Sequence, residues 1–390
     1  MLESASLLPL SPVLEQEAAC PKGTIRRDRG GRISELDGLR GVAILLVVIW
    51  HYLPGIVSDA PPRVLELANS AIRFAWSGVD LFFVLSGFLI GGILLDHRES
   101  RNYFRTFYAR RAYRILPVYA ATLVAFVVFS RSRFQAVSWL FDQPMPAWSY
   151  LTFTQNYTMA GAGSFGALWL GMTWSLAVEE QFYAVLPLVV WLVPQASLPL
   201  VLGTMALAAP IARGLLFTTD PHWSTACYMW MPARADSLML GVLAAVALRR
   251  PDFQAFVSRQ RGLVHGSLAL LALAMVVMAL MHETVFSPRM ALYGYSVLAA
   301  FYAVALILAA TAREGEPIGR LLRVRPLRYA GTLAYSTYLI HIPLLGMSSL
   351  VVRRQAAAGI LGIVLTFLIA ALSWRFFEKP LVLRGHRHQY

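Results

Sequence analysis

The apolar run LRGVAILLVVIWHY, Leu39 to Tyr52, carries Arg40 at one end and His51 near the other. A neutral imidazole can take a proton from a hydroxyl, and a guanidinium binds phosphate or carboxylate through two parallel N–H groups. Eleven residues at about 100° each bring both side chains onto nearly one helix face, about 16.5 Å apart along the axis. They are too distant to pair with one another. Other ionisable residues also interrupt apolar stretches: Asp80 in GVDLFFVLSGFLIG, Glu179 and Glu180 in WSLAVEEQFY, Arg234 and Asp236 in RADSLMLG, and His341 in YLIHIP. Each costs roughly 2.5–3.5 kcal/mol at the centre of a membrane helix, so these residues either pair to hold helices together or carry chemistry. Ser175, Glu179 and Tyr183 are spaced four apart and form one stripe, as do Thr337 and His341, with Tyr338 alongside. Ser86, Gly87 and Gly91 read as small residues that permit close helix packing. In RRAYRILPVY, Arg111 and Arg114 stand one turn apart beside Arg110. That spacing suits bidentate phosphate recognition, and equally the basic loops of a membrane protein.

The elements that must position these residues follow from composition. The 390 residues are 57% hydrophobic and only 14% charged, with a mean hydropathy of +0.58. A soluble chain would carry about a quarter charged residues. The expected fold is all-α: a polytopic membrane helix bundle of about ten spans near 38–56, 75–95, 115–130, 174–193, 198–217, 232–249, 263–281, 290–312, 329–351 and 357–377. Lys and Arg crowd alternate connections, around 98–114, 249–261, 313–328 and 379–387, which places both termini in the cytoplasm. The net charge of +13 is then a consequence of topology and implies no nucleic-acid partner. Residues 1–33 read as a disordered cytoplasmic tail without a signal peptide, 34–383 as the membrane domain and 384–390 as a cytoplasmic tail. Cys20 and Cys227 offer neither a disulfide framework nor ligand spacing for a metal. Residues 131–173, rich in aromatics, form the longest connection. Counted from the span ends, His51, Asp80, Glu179, Arg234, Asp236 and His341 are expected in one layer in the outer third of the bilayer.

Seven stretches in this order resemble the acyltransferase 3 family of integral-membrane O-acyltransferases: ISELDGLRGVAILLVVIWHY, GVDLFFVLSGFLIG, RRAYRILPVY, WSLAVEEQFY, RADSLMLG, GTLAYSTYLIHIP and WRFFEKP. The resemblance covers residues 33 to 383. It implies transfer of an acyl group, often acetyl from acetyl-CoA, to a hydroxyl of a cell-surface polysaccharide, lipid-linked glycan or related acceptor. The location implied is a bacterial cytoplasmic membrane. The family's Arg and His of the first span fall on Arg40 and His51, its Arg-x-x-Arg on Arg111 and Arg114, and its Trp-Ser-Leu glutamate on Glu179.

Acyl transfer to a hydroxyl needs a base and a stabilised oxyanion. His51 is the expected base, with Glu179, or less readily Asp80, as its carboxylate partner. Arg111 and Arg114, with Arg40, are expected to hold the phosphates of acyl-CoA, a substrate and not a resident cofactor. Tyr183, Arg234, Asp236, His341 and Asn156 are candidates for the acceptor or the oxyanion. Aromatics of the long connection, Trp148, Tyr150, Tyr157 and Trp169, are candidates to stack on a sugar, though an interfacial belt accounts for most of them. A homodimer in the bilayer is compatible with this reading, and so is an acceptor on either side of the membrane. The competing class is a transporter, which would spread polar groups through the full depth or break helices in two repeated halves.

Overall fold

The computed structural model describes residues 33–57, 61–131, 135–220 and 222–390. The predicted N-terminal tail, with Cys20, lies outside them apart from Ile33. Among the described residues all regular structure is helical. Ten principal helices are α1 (Ser34–Ile56), α2 (Gly78–Asp96), α3 (Tyr103–Ser130), α4 (Thr173–Leu192), α5 (Leu198–Thr219), α6 (Ala235–Ala247), α7 (Arg261–Leu280), α8 (Tyr295–Ala310), α9 (Arg325–Val351) and α10 (Gln355–Ser373). Each overlaps one of the ten predicted stretches, and α3 begins at Tyr103, ahead of the predicted 115, so that Arg111 and Arg114 lie within it.

Eight of these segments are long and apolar enough to cross a bilayer, and the chain is a multi-pass membrane protein. The two that miss the criterion are α6, with 13 residues, and α9, which is 27 residues long but carries Tyr335, Thr337, Tyr338 and His341. Both sit inside the bundle, α6 packed on α2, α5 and α8, and α9 on α1 and α10. A helix surrounded by protein can keep polar groups that a lipid-facing helix cannot. The outer helices show the converse. Leu200, Leu207, Ile211 and Leu215 of α5 form a stripe that is 61–70% exposed, which in a bilayer meets acyl chains and not water.

Two backbone-to-backbone approaches set the frame. On α1 and α9, Gly41 and Gly331 face each other's helices. A Cβ on Gly41 would lie 2.0 Å from the Leu327 carbonyl oxygen, and one on Gly331 would lie 2.1 Å from that of Asp37. On α2 and α6, a Cβ on Gly87 would lie 2.0 Å from the Leu238 carbonyl oxygen, and one on Gly241 would lie 2.1 Å from that of Val84. Small-residue contacts of this kind let helices pack without a hydrophobic driving force between them.

Two regions carry more structure than the sequence assigned them. The connection 131–173 contains short helical segments at Gln135–Leu140, Ala147–Leu151, Gln155–Gly161 and Leu168–Gly171. The last residues pack back on α3. Arg110 donates to the His388 carbonyl at 2.7 and 2.9 Å, Thr106 donates to that of Gln389 at 2.8 Å, and Tyr390 stacks on His97 with ring centres 3.9 Å apart. Both partner side chains on α3 face the segment, so donors that would otherwise need water are satisfied by its backbone.

Gly331→Ala should lower the unfolding midpoint of the purified protein, since its methyl meets backbone that cannot step aside, at a cost of about 1–3 kcal/mol. Gly203→Ala on α5, where nothing lies within 4 Å of the added atom, should raise it slightly through helix propensity, by about 1 kcal/mol. Thermal unfolding in detergent micelles reads both signs.

Candidate active site

The α4 stripe lines a cavity at the centre of the bundle. Ser175, Glu179 and Tyr183 face it from α4, Ser86 from α2, Tyr335 and Tyr338 from α9, and Arg40, Arg111 and Arg114 from α1 and α3. The polar groups are graded along it. At the far end the Tyr183 ring lies 5.5 Å below the Arg111 guanidinium. One turn along α4, Glu179 accepts from the Ser86 hydroxyl at 2.6 Å and from Tyr183 at 3.3 Å. A further turn along, Ser175 bonds the Tyr338 hydroxyl at 2.5 Å, and Tyr338 donates to the Met172 carbonyl at 2.9 Å. Six ion pairs form among the described residues, and none includes Arg40, Arg111 or Arg114. With Glu179 as the one carboxylate on the same wall, three guanidiniums outside any such ion pair leave the cavity with an excess of positive charge.

His51 and His341 lie beyond Tyr338. Their rings meet edge-on with centres 4.8 Å apart, and the Tyr338 ring is 5.8 Å from that of His341. His51 Nδ1 is 2.8 Å from the Val47 carbonyl, and His341 Nδ1 is 2.7 Å from that of Tyr338. A carbonyl only accepts, so each Nδ1 carries the proton and each Nε2 keeps its lone pair. His341 Nε2 is buried and has no partner. Tyr52, next to His51, donates to the His341 carbonyl at 2.6 Å and bonds Thr366 at 2.9 Å, which ties α1 to α9 and α10 at this level. The helices run parallel in constant register: Gly41 opposes Gly331, and ten residues later along each helix His51 meets His341.

The expectation of a single polar layer therefore fails. The two histidines do share a level, but Glu179 sits with Ser86 and the arginines, and its hydrogen bonds go to Ser86 and Tyr183, not to His51. Asp80 is no partner of His51 either. It pairs with Arg234, both fully buried, and accepts from Ser237. The Arg234 guanidinium also lies 3.9 Å over the Tyr295 ring. Asp236 accepts from Arg213 at 2.9 Å and from Ser296 at 2.7 Å. Asp80, Arg234 and Asp236 thus belong to a self-neutralised network joining α2, α5, α6 and α8, outside the cavity wall. Burial makes an isolated charge so costly that these groups turn to each other. Asn156 is likewise taken up, donating to the Met229 carbonyl at 3.0 Å and accepting from Gln181 at 2.8 Å. Of the predicted sugar-stacking aromatics, Trp169 is buried among Phe126, Phe129 and Phe141, Tyr150 is buried, and Tyr157 meets Trp230.

Comparison with known proteins gives the family of the chain. The family model described as an acyltransferase domain, acyltransferase 3, matches residues 33–375. The chain belongs to this acyltransferase family. Among its relatives, YrhL of Bacillus subtilis is 30% identical over 384 residues, covering 91% of this chain and 56% of that protein. The Listeria monocytogenes protein named peptidoglycan O-acetyltransferase OatA is 26% identical over 381 residues, covering 90% and 56%. The Staphylococcus aureus O-acetyltransferase OatA is 26% identical, covering 90% and 57%. The chain thus spans a little over half the length of these relatives. No solved structure matches it.

For this acyltransferase-family chain, sequence reasoning missed Arg213, Ser86 as a ligand of Glu179, and Tyr338 as the wall between cavity and histidines. Arg213 was findable, being the one charged residue inside the apolar run 198–217. Its neutralising partner lay 23 residues away on another helix, and no spacing rule reaches that far. Arg234→Met should destabilise the protein by about 3–5 kcal/mol by stranding Asp80, and the double change Arg234→Met with Asp80→Leu should restore most of the loss. Thermal unfolding of both variants in micelles checks the network.

Proposed function

We propose that the protein is an acyl-CoA-dependent O-acyltransferase of a bacterial cytoplasmic membrane that moves an acetyl group to a sugar hydroxyl of a cell-surface glycan. The observation that carries the reading is the pair of unlike ends about 16.5 Å apart on α1: three unpaired guanidiniums, and two histidines with free Nε2 lone pairs. The first end suits the phosphates of CoA and the second suits proton transfer. The names of the relatives support acetyl as the group moved and peptidoglycan as the class of acceptor.

In this reading Arg40, Arg111 and Arg114 bind the donor phosphates from the cytoplasmic side. The thioester reaches past Glu179 and Tyr338 to the histidines. His51 Nε2 takes the acceptor hydroxyl proton as that oxygen bonds to the thioester carbonyl carbon. Collapse of the tetrahedral adduct breaks the C–S bond, and His51 returns the proton to the CoA sulfur. His341, its ring centre 4.8 Å from that of His51, keeps an Nε2 lone pair that can steady the positive charge His51 gains, and its one N–H is held by the Tyr338 carbonyl. Glu179 balances the arginine end and no longer serves as the orienter of His51.

Membrane vesicles carrying the protein, given labelled acetyl-CoA and cell-wall glycan, test this. His51→Ala should reduce transfer by at least about 100-fold at equal abundance and unchanged thermal midpoint, and transfer at the wild-type rate would remove His51 as the base. Arg114→Ala should raise KM for acetyl-CoA about 10-fold or more, as expected for a lost charge-assisted hydrogen bond of about 1.5–3 kcal/mol, and leave KM for the glycan unchanged.

A further inference from the structure

At the end of the bundle where Arg249 pairs with Asp96, two hollows share a wall. The first is lined by Leu95, Gln195, Pro199, Val246, Arg249 and Arg250, from the ends of α2 and α6 and the start of α5. The second shares Pro199, Val246 and Arg250 and adds Leu243, Ala247, Asp252 and Phe253. Arg250 faces both. The two arginines differ in what they hold. Arg249 is fully engaged, donating twice to Asp96 at 2.8 Å, to the Gly92 carbonyl at 2.9 Å and to that of Ala245 at 2.8 Å. Arg250 is exposed, and its guanidinium enters no ion pair or hydrogen bond among the described residues.

We propose that this double hollow binds one anionic phospholipid, with the phosphate on Arg250, the head group in the first hollow and the acyl chains leaving through the second. The first hollow offers two guanidiniums and the Gln195 amide and contains no carboxylate. It therefore suits a phosphodiester with a hydroxylated head, and it repels the ammonium of a zwitterionic lipid. The second hollow is apolar along Pro199, Leu243, Val246, Ala247 and Phe253. Its one carboxylate, Asp252, stands in the first turn of the short helix Pro251–Arg259, where a negative charge is stabilised by the helix's own N–H groups. Leu200, next to Pro199, opens the exposed α5 stripe along which acyl chains would lie.

The short helix fixes the depth of the site. Phe253, Phe256 and Val257 are spaced three and four apart and share one face. Val257 is buried against the protein, and Phe256 beside it is 45% exposed. An apolar helix face next to a free arginine belongs at the boundary between head groups and acyl chains. A free phosphate would occupy the first hollow and leave the apolar one unfilled, whereas a phospholipid fills both. Any basic loop draws anionic lipid through a diffuse field. A built site differs in that one arginine among many decides retention.

Native mass spectrometry of the full chain, released from micelles containing phosphatidylglycerol, phosphatidylethanolamine or phosphatidylcholine with matched acyl chains, tests the site without requiring turnover. Phosphatidylglycerol should be retained about fivefold or more over the other two. Arg250→Gln should bring its retention down to the phosphatidylcholine level. The thermal midpoint of that variant in lipid-free detergent should not move, because the guanidinium bonds nothing in the protein. Arg320→Gln is the control. Arg320 is exposed and unpaired at the same end of the bundle, where Arg261 joins the two connections by pairing with Glu316 at 2.5 Å, and its loss should leave retention at the wild-type value. Millimolar inorganic phosphate should not displace the lipid. Equal losses in Arg250→Gln and Arg320→Gln would show only a diffuse field and overturn the site. Equal retention of the three lipids overturns it too, and displacement by phosphate would make it an anion site that takes no lipid.

Discussion

The contact on which the rest depends is the parallel approach of α1 and α9 through Gly41 and Gly331. Neither helix has a hydrophobic reason to leave lipid for the other, because lipid is as apolar as leucine. What holds them is the close fit that the absence of two Cβ atoms permits, reinforced at one end by the ion pair of Arg323 with buried Glu35 and at the other by Tyr52 bonding the His341 carbonyl. Once the glycines fix the register, a ten-residue step along each helix brings His51 and His341 together. The same register sets Arg40 at the opposite end of α1, facing the arginines of α3 across the cavity.

Within that frame the polar residues at membrane depth divide by one rule. Groups that can find an opposite charge are sealed into the protein, as Asp80 is with Arg234 and Asp236 with Arg213. Arg40, Arg111 and Arg114 line the cavity and enter no ion pair among the described residues. The first set stabilises the bundle only as pairs. The second set carries the proposed chemistry, because a guanidinium already bound to a carboxylate has little left to offer a phosphate. Tyr338 and Ser175 mark the boundary between the arginine end and the histidines, and in the proposed mechanism the thioester must pass them.

Much of the fold was legible along the chain. Every long apolar stretch became a helix, since the bilayer leaves backbone groups no other partner within a single segment. The stripe of Ser175, Glu179 and Tyr183 lines one cavity, because helical periodicity is a local property that tertiary structure does not alter. The levels of the polar groups were less legible. Counting from span ends set Glu179 and Asp80 beside the histidines. The helix starts were right to within three residues, but packing between helices decides that Glu179 meets Ser86 and Asp80 meets Arg234, and no count along one helix supplies that.

The amino-acid sequence by itself determined the membrane class, the helices, the family and the residue types available for acyl transfer, since these rest on hydrophobicity, periodicity and collinear motifs. Only the tertiary structure decided which charges cancel and which stay free. That outcome depends on distances between side chains on different helices. A motif aspartate and a motif arginine look as functional on paper as His51, yet packing α6 against α2 makes them each other's counter-ion. Three arginines of α1 and α3 instead share a cavity with the single carboxylate of Glu179 and enter no ion pair among the described residues, and that excess of positive charge distinguishes the site from the scaffold.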